Sequence, residues 1–332
     1  MREEFPTVKV AACQVAPVML DVDATVDKVC AFVDEAAANG AKVIGFPEAL
    51  VPGYPWWIWQ GNPDYGMQHY IDLYTDAIQI PDARIAKMSA CAKRNEVYFC
   101  VSVTERERGS LFLTQLWFGP NGDLLGKHRK LKATSAEKTV WGDGDGSMMP
   151  VFDTKYGRLG GLQCWEHMLP LNVAAMSAQR EQIHVASWPI GYPDVNHPFG
   201  GPQCVVASQY YALTNSCFVL ECHQIWTEDQ ADRICTPETR DMMQLGEGYT
   251  RVISPSGVIL DEVPTDEEGI AYAECNLADA IPCKYLIDPS GHYSTPGFLQ
   301  LKFDKSVHKP VHVVGEGADC SLSFEDIQDA II

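Results

Sequence analysis

Largely apolar runs at residues 8–15 and 42–46 read as buried strands. Between them Val26, Val29, Phe32 and Val33 recur at helical spacing, and Asn39-Gly40 supplies a stop, which predicts a helix over 23–39. The same reading gives a helix over 83–95 and a strand over 97–104, then strands 110–118 and 124–131 around the turn signal Pro120-Asn121-Gly122. Further on it predicts strands 151–153 and 158–163, a helix 171–180 opened by Pro170, and a strand 183–187. A helix 205–214, a strand 217–222, a hairpin 249–254/258–263 across Pro255-Ser256-Gly257 and a strand 270–275 complete the pattern. Strands and helices alternate without a linker, so residues 1–300 are expected to form one α/β domain. Residues 189–203, rich in proline and glycine, read as a long loop of the kind that touches substrates. Periodicity fades after about residue 300, and 301–332 is expected to be a tail that wraps a neighbouring subunit.

Charge narrows the function classes. With 25 basic and 44 acidic residues the chain carries a net −19, a field that repels phosphate backbones and anionic membrane surfaces, so neither nucleic acid nor membrane is an expected partner. No apolar stretch has the length of a membrane span, and the N-terminal residues lack the apolar core of a signal peptide. The 12 cysteines are scattered, several of them in strand-like runs, so the expectation is a reduced, cytoplasmic protein.

Three residues stand where chemistry is favoured. Cys164 ends a strand, and Trp165-Glu166-His167 and a proline-started helix follow it at once. Such a turn lifts a nucleophile clear of the sheet, and the nearby helix N-terminus is expected to favour the thiolate. Glu48 closes the second apolar strand, where partial desolvation raises a carboxylate toward the range of a proton carrier. Lys130 lies in Lys127-His128-Arg129-Lys130-Leu131-Lys132, and strand alternation is expected to send His128, Lys130 and Lys132 to one face. Each also fits an ordinary structural role: a buried thiol, a loop glutamate, a solvated charge run. No zinc-type spacing of cysteine or histidine occurs, so no metal is expected, and the glycine-rich Gly142–Gly146 segment reads as a turn because its aspartates would repel phosphate.

In order, these pieces resemble the nitrilase superfamily of carbon–nitrogen hydrolases. The matching runs are Phe46-Pro47-Glu48-Ala49 with Pro52-Gly53-Tyr54-Pro55-Trp56, then His128-Arg129-Lys130-Leu131-Lys132, Glu137 ahead of Trp141-Gly142-Asp143-Gly144, Cys164-Trp165-Glu166-His167, and Asp288-Pro289-Ser290-Gly291-His292-Tyr293. The resemblance implies a four-layer αββα sandwich whose two sheets are mainly antiparallel. It implies Glu48 as general base, Lys130 as stabiliser of the tetrahedral species, Cys164 as nucleophile, and Glu137 as a second glutamate orienting lysine and water. The implied reaction takes a nitrile through a thioimidate and a thioester to a carboxylic acid and ammonia, without a cofactor. The Trp165 N–H would join Lys130 as a stabilising donor.

Within the family, the runs Trp141–Phe152, His184–Pro189 and Gly269–Glu274 look most like bacterial cyanide-degrading nitrilases, which make formate and ammonia. The long 189–203 loop departs from that branch toward aliphatic and arylaliphatic nitrilases. Tyr54, Trp165, Trp188, Pro189 and His128 are the candidate substrate contacts, with Trp56, Trp57 and Trp59 completing an aromatic set suited to an organic R group. An amide-releasing hydratase, an amidase, and an inactive assembly protein are the competing outcomes. The family's habit of forming dimers and open spirals implies a homo-oligomer, with the 227–243 insert and the tail as its contacts.

Overall fold

The computed structural model describes residues 5–190, 200–240, 243–309, 311, 314–315 and 321–329. Among the described residues the apolar runs become twelve strands in two six-stranded sheets. The first holds β1 (Thr7–Gln14), β2 (Val43–Gly45), β3 (Tyr98–Glu107), β4 (Ser110–Phe118) and β5 (Leu124–Arg129). The second holds β6 (Val151–Thr154), β7 (Gly157–Gln163), β8 (Ile183–Trp188), β9 (Phe218–His223), β10 (Arg251–Ile253) and β11 (Ile259–Glu262). A last strand, β12 (Gly269–Asn276), returns to the first sheet, giving orders β12-β1-β2-β3-β4-β5 and β11-β10-β9-β8-β7-β6. β1 and β12 are antiparallel over their whole length, from Thr7 opposite Asn276 to Gln14 opposite Gly269.

The sheets are mixed, with only a narrow antiparallel majority. The parallel pairs are β1–β2 and β2–β3 in one sheet, and β7–β8 and β8–β9 in the other. Helical crossovers impose them, because parallel neighbours need a long connection.

Helices α1 (Val22–Ala38), α2 (Pro63–Asp76), α3 (Ala83–Asn95), α4 (Pro170–Ala178) and α5 (Gly201–Asn215) supply the outer cover. Asp21 caps α1 by accepting from the Ala24 N–H at 2.9 Å, and the buried stripe Val22, Val26, Val29, Val33 sits with α3 over Ile44, Phe46, Phe99 and Val101 of the first sheet. On the far side α4 and α5 bury Val173, Met176, Ala207 and Tyr211 against Leu162, Ala186 and Val219 of the second sheet. Between the sheets Val10, Val43, Cys100 and Trp117 meet Leu159, Val185, Leu220 and Cys222. The two layers come so close that a Cβ at Gly45 would stand 2.9 Å from Cys222 Sγ. The helix–sheet–sheet–helix order is the one the sequence implied.

Several elements were not anticipated. Helix α2 has only Leu73 buried, so its apolar stripe is faint, although the Asn62 cap and Pro63 mark its start. The insert folds into short helices Glu228–Ile234 and Pro237–Arg240, and another covers Ala280–Leu286. The start of the tail lies on its own chain: Phe303 joins the α4–α5 cluster, Lys305 Nζ reaches Gln179 Oε1 at 2.9 Å, and the His308 N–H donates to Asp145 at 2.9 Å. No helix among the described residues is long and apolar enough to cross a membrane. Every described cysteine is a free thiol.

Candidate active site

Strand ends bring the three singled-out residues together. β2 stops at Gly45 and the chain turns through Phe46-Pro47 to Glu48, whose N–H donates to Trp188 O at 3.0 Å and whose carbonyl accepts from Gln224 Nε2 at 2.5 Å. The glutamate's backbone is thus tied to the second sheet. Lys130 is the first residue after β5; its N–H donates to Leu113 O at 2.9 Å and its carbonyl accepts from the Gly144 N–H at 2.8 Å. Cys164 follows β7 with φ of 52°, opening a 3₁₀ turn over Cys164–Met168. A left-handed conformation costs a side-chain-bearing residue roughly 1–2 kcal/mol, so its surroundings must hold it.

Glu166 supplies part of that hold. Its Oε2 accepts from the Gln163 N–H at 2.9 Å and sits 2.8 Å from His128 Nε2, while Oε1 accepts from the Leu131 N–H at 2.8 Å. One buried carboxylate therefore clamps the end of β5 to the end of β7, which sets Lys130 against Cys164. Beneath the site a polar layer between the sheets adds to the clamp. Ser102 Oγ donates to Gln163 Oε1 at 2.5 Å, Gln115 Nε2 to Ser187 Oγ at 2.8 Å, and Ser187 Oγ to Phe46 O at 2.8 Å.

The result is one cluster. Lys130 Nζ lies 2.9 Å from Glu48 Oε1 and 2.8 Å from Glu137 Oε2. Glu137 also accepts from the Thr134 N–H at 2.7 Å and from Tyr54 OH at 2.8 Å. Donor atoms of Glu48, Glu137 and Cys164 all lie within 4.8 Å of one another, and all three residues are buried. That spacing also suits a cation, but the Lys130 ammonium already stands between the two carboxylates.

Burial sets the protonation states. It pushes Glu48 up to about 8, against the pull of Lys130. Burial, and then Glu48, also hold the Cys164 thiol well above its ordinary range. For Lys130 burial opposes the charge, but Glu137 and Glu48 outweigh it, and the ammonium persists. The resting thiolate expected from sequence loses both its supports: α4 begins only at Pro170, beyond the 3₁₀ turn, and burial favours the thiol. Glu48 Oε2 has no hydrogen-bond partner among the described residues, and one oxygen of this carboxyl lies within 4.8 Å of the sulfur.

Above the cluster opens a cavity of about 590 Å³, with Cys164, Glu137 and Tyr54 in its wall. Trp56, Trp59, Trp165, Met168, Trp188 and Ile190 make most of the rest apolar, and Trp165 meets Trp188 edge to face at 5.8 Å. Tyr54, Trp165, Trp188 and Pro189, the candidate substrate contacts, line this cavity. His128 does not: it is fully buried, with Nδ1 2.7 Å from Met148 O and Nε2 on Glu166, so it serves the clamp. Trp57 is likewise outside the wall, packed on His69. Lys132 leaves the face of His128 and Lys130 because β5 ends at Arg129; it is exposed and paired with Asp143. Of the long loop, 191–199 lie outside the described residues, and the flanking Pro189, Ile190, Gly200 and Cys204 line the cavity.

The Glu166 clamp and the inter-sheet polar layer escaped the sequence reading. Their signal is a polar residue at an inward position of an otherwise apolar strand, as at Ser102, Gln115, Gln163 and Ser187.

Comparison with known proteins agrees with this geometry. The pattern of the carbon-nitrogen hydrolase family matches residues 9–285. A nitrilase of Bacillus sp. (strain OxB-1) is 61% identical over 326 residues, covering 98% of this chain and 96% of the relative. An aliphatic nitrilase of Rhodococcus rhodochrous is 38% identical, covering 95% and 84%. Among solved structures, a carbon-nitrogen hydrolase from Helicobacter pylori G27 superposes with a TM-score of 0.71 at 20% identity, over 88% of this chain and 96% of that one, which shows a shared fold.

Proposed function

We infer that this chain, which belongs to the carbon–nitrogen hydrolase family and to its nitrilase branch, converts an aliphatic or arylaliphatic nitrile and two waters to a carboxylic acid and ammonia. The observation that carries the reading is the buried cluster in which Lys130 joins two carboxylates beside the Cys164 sulfur at the wall of an apolar cavity.

In this reading Glu48 takes the Cys164 proton as the sulfur bonds to the nitrile carbon and passes it to the nitrile nitrogen, which gives a thioimidate and frees the base. Water then adds, losing its proton to Glu48. Glu48 returns that proton to the nitrogen, which also takes the proton of the added hydroxyl; the carbon–nitrogen bond breaks, ammonia leaves, and a thioester remains. A second water, again deprotonated by Glu48, releases the acid and restores the thiol. Lys130 and the Trp165 backbone N–H stabilise the charge on the tetrahedral species, and Glu137 keeps the ammonium aimed.

The cavity supports an organic R group over cyanide. Its volume is in the range of sites that enclose drug-sized ligands, and its indoles offer surface that a two-atom substrate cannot use. A panel read by ammonia release should show kcat/KM for phenylacetonitrile and for medium-chain nitriles at least about a hundredfold above that for cyanide, a gap of roughly 3 kcal/mol in apolar contact. Cyanide as the preferred substrate, or an amide as the main product, would overturn this assignment.

We also propose a homo-oligomer. Leu171 on α4, Val206 and Leu213 on α5, and Tyr285 and Leu286 on the helix Ala280–Leu286 leave large apolar side chains exposed, which supports it. Light scattering on the purified protein should give a multiple of 36.7 kDa, and a monomer mass at micromolar concentration would count against the proposal.

A further inference from the structure

Beneath the Cys164 turn, where α4 and α5 cover the second sheet, lie four buried polar side chains that the reaction above does not use: His167, His184, Glu181 and Tyr211. They form a row. His167 Nδ1 is 2.7 Å from the Cys164 carbonyl oxygen, and its Nε2 is 2.8 Å from His184 Nε2. His184 Nδ1 is 2.8 Å from Glu181 Oε1, and Tyr211 OH is 2.5 Å from Glu181 Oε2. Room for the carboxyl comes from Gly160, where a Cβ would run into Glu181 Oε1. The His167 ring also stacks on Trp188, with centroids 5.1 Å apart.

The contacts dictate where the protons are. A carbonyl oxygen can only accept, so His167 Nδ1 carries hydrogen. In a neutral imidazole its Nε2 is then bare, and the hydrogen between the two rings belongs to His184 Nε2. That leaves His184 Nδ1 bare as well, so the hydrogen in its contact with Glu181 must come from the carboxyl group. Tyr211 donates to the other carboxyl oxygen.

We propose that Tyr211, Glu181, His184 and His167 form an uncharged hydrogen-bond chain that runs in one direction onto the Cys164 carbonyl, with Glu181 present as the carboxylic acid, and that this chain holds the left-handed Cys164 turn in its reactive orientation. These are positioning residues, acting through the backbone of Cys164. The proposal rests on the reading of Cys164 as nucleophile.

The alternative is a buried ion pair of Glu181 carboxylate with an imidazolium, and the surroundings disfavour it. Burial pushes Glu181 up to about 8, and burial followed by His184 brings His167 down to about 3. Burial and His128 hold His184 well below its ordinary range, with Glu166 opposing them. The other ionisable groups facing the row are Glu166 and His128, bonded to each other at 2.8 Å, and the Cys217 thiol. Among the described residues no cation pulls Glu181 down; the Tyr211 hydrogen bond alone opposes its burial.

Glutamine and leucine at position 181 separate the two cases. The amide of Glu181→Gln can donate to His184 Nδ1 and accept from Tyr211, as the acid does, so the variant should keep kcat within about threefold of wild type. Glu181→Leu severs the chain and should lower kcat about tenfold to hundredfold with KM nearly unchanged, the cost of a misplaced reacting atom. It should slow iodoacetamide labelling of the Cys164 peptide, read by mass spectrometry, in the same proportion. Solid-state 15N spectra of histidine-labelled wild-type enzyme should show His167 protonated at Nδ1 alone and His184 at Nε2 alone. An imidazolium at either ring, a Gln variant as impaired as the Leu variant, or a Leu variant with wild-type kcat and labelling would each overturn the proposal. Should the Leu variant not fold, the Gln variant and the wild-type spectrum decide. Labelling and spectra need no nitrile, so an enzyme that hydrolyses none would sink the functional reading and leave this one standing or falling by itself.

Discussion

Cys164→Ala is expected to lower ammonia release from every nitrile by at least about ten-thousandfold, the scale seen when a covalent nucleophile is deleted. The loss should not come from unfolding. Alanine tolerates the φ of 52° as well as cysteine does, and Cys164 packs at the cavity wall, so trimming its sulfur opens onto existing space. Urea unfolding should therefore stay within about 1 kcal/mol of wild type. Steady-state assay of the purified variant, with mass spectrometry of wild type trapped during turnover, checks both halves: an acyl or imidoyl adduct belongs on the Cys164 peptide. Residual activity together with an adduct on Cys204, the other thiol in the wall, would move the nucleophile there.

Glu48→Gln should cost at least about a hundredfold in kcat, the usual yield of a general base. The amide keeps the shape and can still accept from Lys130, so what it lacks is the capacity to take a proton. With Glu48 pushed up to about 8 by burial, the fraction able to act as base grows as pH rises. Wild-type kcat/KM should climb through a midpoint near pH 8 and level only above it, and the variant should lack that limb. Stability runs the other way. The folded protein keeps the Glu48 proton up to about 8, whereas the unfolded chain releases it near its ordinary 4.5. Between those values the native state binds more protons, so this group's contribution to stability falls as pH rises through the window. The Gln variant should show a flatter dependence of its unfolding midpoint on pH. Wild-type kinetics in the variant, or an unchanged rate limb, would remove Glu48 from the base role.

Much of this was legible in the chain itself. The strands buried on both faces announced themselves as apolar runs; Glu48 and Cys164 drew notice because each stands where such a strand stops, and Lys130 because it lies in a basic cluster. What sequence could not supply was partnership across distance. His128 beside Lys130 looked like a substrate contact, yet its carboxylate partner lies 38 residues on, and only the folded chain shows that the two form a clamp. The resting state of the sulfur depended on burial by elements far away in sequence, and local position alone suggested the opposite charge. Helix α2 hid for a different reason: it covers little core, so its apolar signature is weak.

The pairing of β1 with β12 has a consequence for biosynthesis. Thr7–Gln14 leaves the ribosome roughly 260 residues ahead of its partner Gly269–Asn276, and must wait for it before its outer edge is covered. At 5–20 residues per second that delay is roughly 13–50 s, during which a flat apolar ribbon is open to association with other nascent chains. Yield in a heterologous host is therefore expected to depend on translation speed and on holdase chaperones more steeply than the finished molecule's stability would suggest.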